Sequence, residues 1–164
     1  MEDKFTDEVL RHQGLIHKIC RMYRDSSEDQ EDLFQEIVYQ LWKSYPPFQG
    51  KSKITTWMYR IGLNTAMAAF RKPTVKIDHC GVMAEQKLSQ EPQGDSWKED
   101  LLFAAIRELD QDERAFIALY LEDLSYAEIS EVIGISQSNV GVRLNRIKTK
   151  LKTILNKKLW IWKI

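Results

Sequence analysis

The chain has little of what most enzymes and secreted proteins depend on. Its 164 residues include two cysteines, Cys20 and Cys80. That is too few for a disulfide framework, so a reducing cytoplasm is the expected compartment. Of the three histidines, His17 lies three residues before Cys20 and His79 directly precedes Cys80. A zinc site needs matched ligand pairs with workable geometry, and an adjacent His–Cys pair is a poor one, so no metal is expected. No Ser/His/Asp set, glycine-rich phosphate loop or pair of catalytic carboxylates stands out, which leaves no case for an enzyme or a cofactor. No charged-then-apolar leader is visible, and no apolar run approaches the roughly 18 residues of a membrane span. The tail Leu159-Trp160-Ile161-Trp162 is apolar but short; it is expected to pack on a neighbouring helix, not to insert stably in a membrane.

Net charge is missing too, with 24 Lys and Arg against 24 Asp and Glu. The balance conceals a strong alternation. Residues 1–42 carry a net −5, residues 43–72 a net +6, residues 73–124 a net −7 and residues 125–164 a net +6. From Ile37 to Ile77 there is no Asp or Glu at all, while seven cations interleave with Tyr39, Trp42, Tyr45, Phe48, Trp57, Tyr59 and Phe70. Cations can follow a phosphate backbone, and aromatic faces can take unstacked bases. Two basic blocks imply two sites for a polyanion, and the acidic blocks suit basic partners.

The periodicity is helical nearly throughout. Val9, Ile16, Ile19 and Tyr23, widened by Leu15 and Met22, predict a first amphipathic helix. Ser27 and Gln30 have the spacing of a capping box opening a second helix, with Leu33, Ile37 and Leu41 as its buried face. Pro46-Pro47 and Gly50 break the chain. Thr55 or Thr56 can start a third helix reaching Phe70, with Ile61, Thr65 and Ala68 on one side. Residues 73–95 hold two prolines, two glycines and little periodicity, so they read as a linker. Beyond it, Ser96-x-x-Glu99 opens a helix carrying Leu101, Leu102, Ala105, Ile106 and Leu109, and Asp110-x-x-Glu113 opens one carrying Phe116, Ile117, Tyr120 and Leu121. The expected fold is all-α: two small helical domains, 1–72 and 96–164, joined by a flexible linker over 73–95.

The sharpest local pattern follows Ser125. Ser125-x-x-Glu128 caps a short helix with Ile129, Val132 and Ile133 inward; Gly134 ends it, Ile135 plugs the turn and Ser136 caps the next helix. Val140 comes six residues after Gly134 and faces inward with Leu144 and Ile147. A turn-permitting glycine followed by an apolar anchor is the spacing of a helix-turn-helix. Small Ser130 is expected to let the two helices approach. The outward face carries Gln137, Ser138, Asn139, Arg143, Asn145, Arg146, Lys148 and Lys150. Amides and arginine pair with base edges in the major groove, and cations towards the C-terminal end suit phosphates.

With that motif near the end and the basic-aromatic block before it, the chain resembles the extracytoplasmic-function (ECF) sigma factors of bacterial RNA polymerase. The resemblance rests on Asp32-Leu33-Phe34-Gln35-Glu36, then Trp42 and Phe48, then Thr56-Trp57-Met58-Tyr59-Arg60-Ile61-Gly62-Leu63-Asn64. A helix-turn-helix alone is shared by many regulators; both motifs in this order are more specific. The resemblance implies that Asp32, Gln35 and Glu36 bind core polymerase through the clamp helices of its largest subunit. It implies that Asn64 helps capture a base flipped from the melted non-template strand of the −10 element, with Trp57 serving either the core or base stacking. Lys51, Lys53, Arg60, Arg71 and Lys72 are the phosphate candidates there, and Gln137 to Lys148 would read the −35 duplex. An anti-sigma factor often holds this family off, so one is a further partner to expect. The chain departs from the family at Ser130, where Ala is frequent, and at Thr65-Ala66-Met67-Ala68-Ala69, where charges are usual. It ends soon after the helix-turn-helix, so no additional C-terminal regulatory domain is expected.

The linker has a geometric consequence. Two promoter elements about 25 base pairs apart are separated by roughly 85 Å. The 23 residues from 73 to 95 span at most about 80 Å when extended and about 26 Å as a flexible coil. Free protein is therefore expected to bind promoters weakly, with core polymerase holding the two domains apart. The competing readings are a helix-turn-helix regulator that binds an operator as a dimer and a helical adaptor with no nucleic-acid role. The Asp32-to-Asn64 block weighs against the first, and the two basic blocks against the second.

Overall fold

In the computed structural model, residues 2–48, 50–71 and 96–162 are described, and every regular element among them is a helix. Helices α1 (Glu2–Tyr23), α2 (Ser27–Ser44) and α3 (Ile54–Arg71) pack on one another; α4 (Ser96–Arg107), α5 (Gln111–Leu121), α6 (Tyr126–Ile133) and α7 (Gln137–Trp162) form a second group in which α5 touches the other three. The expected linker, 73–95, lies outside the described residues, as does Lys72. No helix among the described residues is long and apolar enough to cross a membrane.

The first group closes around Ile16 and Ile19 of α1, Leu33, Ile37 and Leu41 of α2, and Met58, Leu63 and Ala66 of α3, all buried. Leu33, Ile37 and Leu41 follow the expected i, i+4, i+8 spacing. Phe5 and Cys20 join that core unforeseen. Burial pushes the Cys20 thiol up to about 12, and His17 stacks on Phe34 with ring centroids 4.5 Å apart. Cys20 is thus a core residue and His17 an exposed one resting on Phe34; His79 and Cys80 lie outside the described residues. Gly62 lets α3 meet α1: a Cβ there would stand 2.8 Å from Ile19 Cδ1.

Several local expectations shift by a residue or a face. The cap of α2 is Ser26, extended at φ −77° and ψ 147°, whose hydroxyl accepts from the Asp29 N–H at 3.1 Å. Gln30 instead donates to the Arg24 and Asp25 carbonyls, so the Ser27–Gln30 box does not form. Helix α3 begins at Ile54, one or two residues before the expected Thr55 or Thr56, its first turn closed by the Trp57 N–H on the Lys53 carbonyl at 3.1 Å. Its inward face runs through Met58, Tyr59, Leu63 and Ala66; of the three expected there, Thr65 is buried, Ile61 packs partly against the core and Ala68 is exposed. Glu99 turns to Arg21 instead of back to Ser96, which is already helical. In α5 the consecutive run Ala115 to Leu119 is buried, while Tyr120 and Leu121 are exposed. The middle of α5 is covered on every side while its ends are not, so periodicity cannot mark the buried run.

The turn between α6 and α7 forms as expected. The Ser125 hydroxyl accepts from the Glu128 N–H, the Glu128 carboxylate accepts from the Ser125 N–H at 2.8 Å, and Gly134 is left-handed at φ 83°. Ser136 caps α7 by accepting from the Asn139 N–H, and Val140, Leu144 and Ile147 are buried. Ser130 has a part not foreseen: its hydroxyl donates to the Ile135 carbonyl across the turn. Gly141 is a second point of close approach between the two helices, where a Cβ would lie 3.3 Å from the Tyr126 ring. Gly134→Ala should lose about 1 kcal/mol, the left-handed penalty less the unfolded-state gain. Urea denaturation checks this, and an unchanged midpoint would mean the turn is not held at positive φ.

Candidate nucleic-acid and partner interfaces

Helix α7 sorts its residues by side. Val140, Leu144, Ile147 and Leu151 are buried; Gln137, Ser138, Asn139, Arg143, Asn145 and Arg146 are exposed on the other flank. The amides come first and the cations follow, an order suited to base edges near the helix start and phosphates further along. Two expected members differ from the rest. Lys148 sits over the Tyr120 ring, Nζ 3.9 Å from its centroid, and Lys150 pairs with Glu113 at 2.8 Å. Their stems and charges brace α7 against α5. Val142 is exposed between the polar residues and offers an apolar contact of the kind a thymine methyl takes.

On α2, Asp32, Gln35 and Glu36 are exposed and opposite Leu33, Ile37 and Leu41. Glu36 accepts a hydrogen bond from Gln40 at 2.9 Å. Tyr39 and Trp42, both about half exposed, continue the same face four and seven residues beyond Gln35. They line a groove of about 540 Å³ with Phe5, Phe34, Gln35 and Val38. The sequence reading grouped Tyr39 and Trp42 with the strand-binding aromatics; the helix sets them beside the acidic row, where helical spacing from Gln35 could have placed them.

The remaining aromatics also divide. Tyr45, Phe48 and Trp57 form a cluster, with Trp57 centroids 6.1 Å from Tyr45 and 4.8 Å from Phe48, and Phe5 packs edge-on against Tyr45. Trp57 is half-buried there. Tyr59 is buried, and burial with the Glu122 carboxylate facing it pushes its hydroxyl pKa upward. The block is thus not one continuous stacking platform. Lys51 is exposed, and the Arg71 side chain and Lys72 fall outside what is described.

Lys53, Arg60 and Asn64 face the second helical group. Lys53 Nζ pairs with Glu128 at 3.2 Å, and Arg60 donates to the Glu131 carbonyl at 3.2 Å. Asn64 lines a cleft of about 260 Å³ with Arg60, Met67, Asp112, Phe116 and Arg143. The residue expected to hold a flipped base and an arginine expected to read duplex therefore border one cavity. Among the described residues no three His, Cys, Asp or Glu side chains are grouped as a metal would require.

Comparisons with known proteins agree with this architecture. A family model described as Sigma-70 region 2 matches residues 9–74, and one described as Sigma-70, region 4 matches residues 99–151. The ECF RNA polymerase sigma factor SigG of Mycobacterium tuberculosis is 30% identical over 90% of this chain, which spans about half (47%) of that relative's length. The RNA polymerase sigma factor YlaC of Bacillus subtilis is 28% identical over 90% of this chain and 96% of its own. Among solved structures, the fold is similar to that of CnrH bound to the cytosolic domain of CnrY, at a TM-score of 0.67 and 21% identity over 96% of this chain and 90% of that one. It is also similar to the Bartonella quintana sigma factor RpoE bound to the anti-sigma factor NepR, at 0.68 and 19% over 93% and 97%.

Proposed function

Because this chain belongs to the extracytoplasmic-function (ECF) sigma factors of bacterial RNA polymerase, we propose that it binds the core enzyme and directs it to promoters. The observation that carries the reading is the sorting of α7, with an amide-then-cation row exposed along the flank opposite Val140 and Leu144. In this reading, residues 96–164 read the −35 duplex through Gln137, Ser138, Asn139, Arg143, Asn145 and Arg146, with Lys148 at the margin. Residues 1–72 bind core polymerase through Asp32, Gln35 and Glu36, extended by Tyr39 and Trp42. They also hold the melted −10 strand through Asn64, with Lys51, Lys53, Arg60, Arg71 and Lys72 on its phosphates and Trp57 bracing the loop before α3. Residues 73–95 tether the two. The chain is an initiation factor, not a catalyst, and works in the cytoplasm beside the polymerase. An anti-sigma factor is a proposed partner, by similarity to the relative crystallised with NepR.

Run-off transcription with purified core polymerase on a genomic promoter library tests the reading. New start sites preceded by two shared boxes support it; no new starts, with a duplex footprint by the protein alone, would favour a stand-alone regulator. On a promoter found this way, Asn139→Ala and Arg143→Ala should each reduce initiation by roughly 5- to 150-fold, the effect of losing about 1–3 kcal/mol of base discrimination.

A further inference from the structure

Helix α7 runs past the segment that the region 4 family model matches. That match ends at residue 151, and the helix continues over residues 152–162. The extension is held at first. Ile154 and Leu155 pack partly against the core, and Lys158 Nζ pairs with Glu108 at 2.6 Å. Packing ends there. Leu159, Trp160 and Ile161, expected to rest on a neighbouring helix, are instead 38%, 72% and 72% exposed. Successive helical residues turn by about 100°, so these three side chains leave on three different sides of the helix. The charge around them has one sign. Helix α7 carries seven Lys and Arg and no Asp or Glu. Lys152 and Lys157, one to two turns before Trp160, are both exposed.

We propose that this turn is a docking site for an anionic lipid surface, which holds the chain reversibly and is not crossed. Trp160 and Ile161 enter the layer between headgroups and acyl chains, while Lys157 and Lys152 form a collar against the lipid phosphates. Three observations favour lipid over a protein partner. A groove in a protein covers one side of a helix; side chains leaving on three sides are all covered only where the surroundings are apolar all round, as acyl chains are. Tryptophan suits the water–lipid boundary, with an apolar ring and an N–H that reaches the wet side. The purely positive charge of α7 complements anionic headgroups, and each lysine near such a surface strengthens binding about fivefold. No helix among the described residues can cross a membrane, and interfacial docking requires none to do so. Trp160 lies roughly 25 Å along the helix from Arg143, at about 1.5 Å per residue. Docking through the turn therefore leaves the residues proposed for the duplex uncovered.

Flotation of the full chain with lipid vesicles tests the site. Vesicles of phosphatidylglycerol and phosphatidylcholine in equal parts should carry wild type upward at low salt. Vesicles of phosphatidylcholine alone should bind it at least about fivefold less, because the lysines then lose their partners. Trp160→Ser with Ile161→Ser should lower the partition constant on anionic vesicles by about tenfold or more. Both positions are exposed, so its thermal midpoint should stay near that of wild type. Trp160→Phe with Ile161→Leu should restore binding, which separates lost insertion from misfolding. Lys157→Gln should weaken binding about fivefold. Wild type left behind by the anionic vesicles, or bound equally to both kinds, would overturn the proposal. So would a serine variant that floats as well as wild type. A wild-type dimer in analytical ultracentrifugation, lost in the serine variant while neither protein floats, would make the turn an interface between copies of this chain instead.

Discussion

Phe116→Ala should destabilise the second helical group by about 3–5 kcal/mol, the cost of deleting a buried aromatic side chain and leaving its cavity. Phe116 is 1% exposed and belongs to the run Ala115 to Leu119 that is buried on every side. It packs among α4, α6, α7 and the first group and borders the cleft shared with Asn64 and Arg143. A small domain has about 5–15 kcal/mol in all, so the loss is a large fraction of the whole. Phe116 also lies beneath Arg143, a proposed duplex contact, with the guanidinium 5.7 Å from its ring centroid. Promoter reading should therefore fail at temperatures where wild type still works. Urea denaturation followed by circular dichroism measures the effect, and a loss under about 1 kcal/mol would mean that α5 is not the centre of this group.

Reversing two charges on α2, Asp32→Lys with Glu36→Lys, should weaken association with core polymerase by about 100-fold or more, since like charges brought together at an interface cost several kcal/mol. Both residues are exposed and opposite the buried Leu33, Ile37 and Leu41, so the thermal midpoint should move little, as for surface substitutions in general. Equilibrium binding to labelled core enzyme measures the first effect and calorimetry the second. Undiminished association in a folded double variant would place the polymerase contact elsewhere, with the groove at Tyr39 and Trp42 the next face to probe.

Much of this molecule is legible in short stretches of its sequence. The Ser125–Glu128 box, the left-handed Gly134, the Ser136 cap and the Val140 anchor each join partners only a few residues apart. Such signals survive whatever the rest of the chain does, so the helix-turn-helix and the sorting of α7 were readable directly. The buried row of α2 was readable for the same reason, because a helix with one covered side repeats its pattern every turn. The expected start of α2 failed by one residue because two adjacent serines offer the same cap, and backbone conformation chooses between them.

What tertiary structure alone decided is where each charge goes. Lys53 and Glu128 are 75 residues apart and Lys18 and Glu122 are 104 apart. No local rule relates such positions, since their meeting depends on how α1 and α3 pack against α4, α5 and α6. The same packing buried the run Ala115 to Leu119 in the middle of α5, separated Tyr39 and Trp42 from the aromatics around Trp57, and set Asn64 and Arg143 on one cleft. Sequence determined most of the elements, the helix-turn-helix and the family, through chemistry confined to single turns. The fold determined which of the candidate contacts are exposed and which are already occupied, because burial and ion pairing are properties of surfaces that only packing brings together.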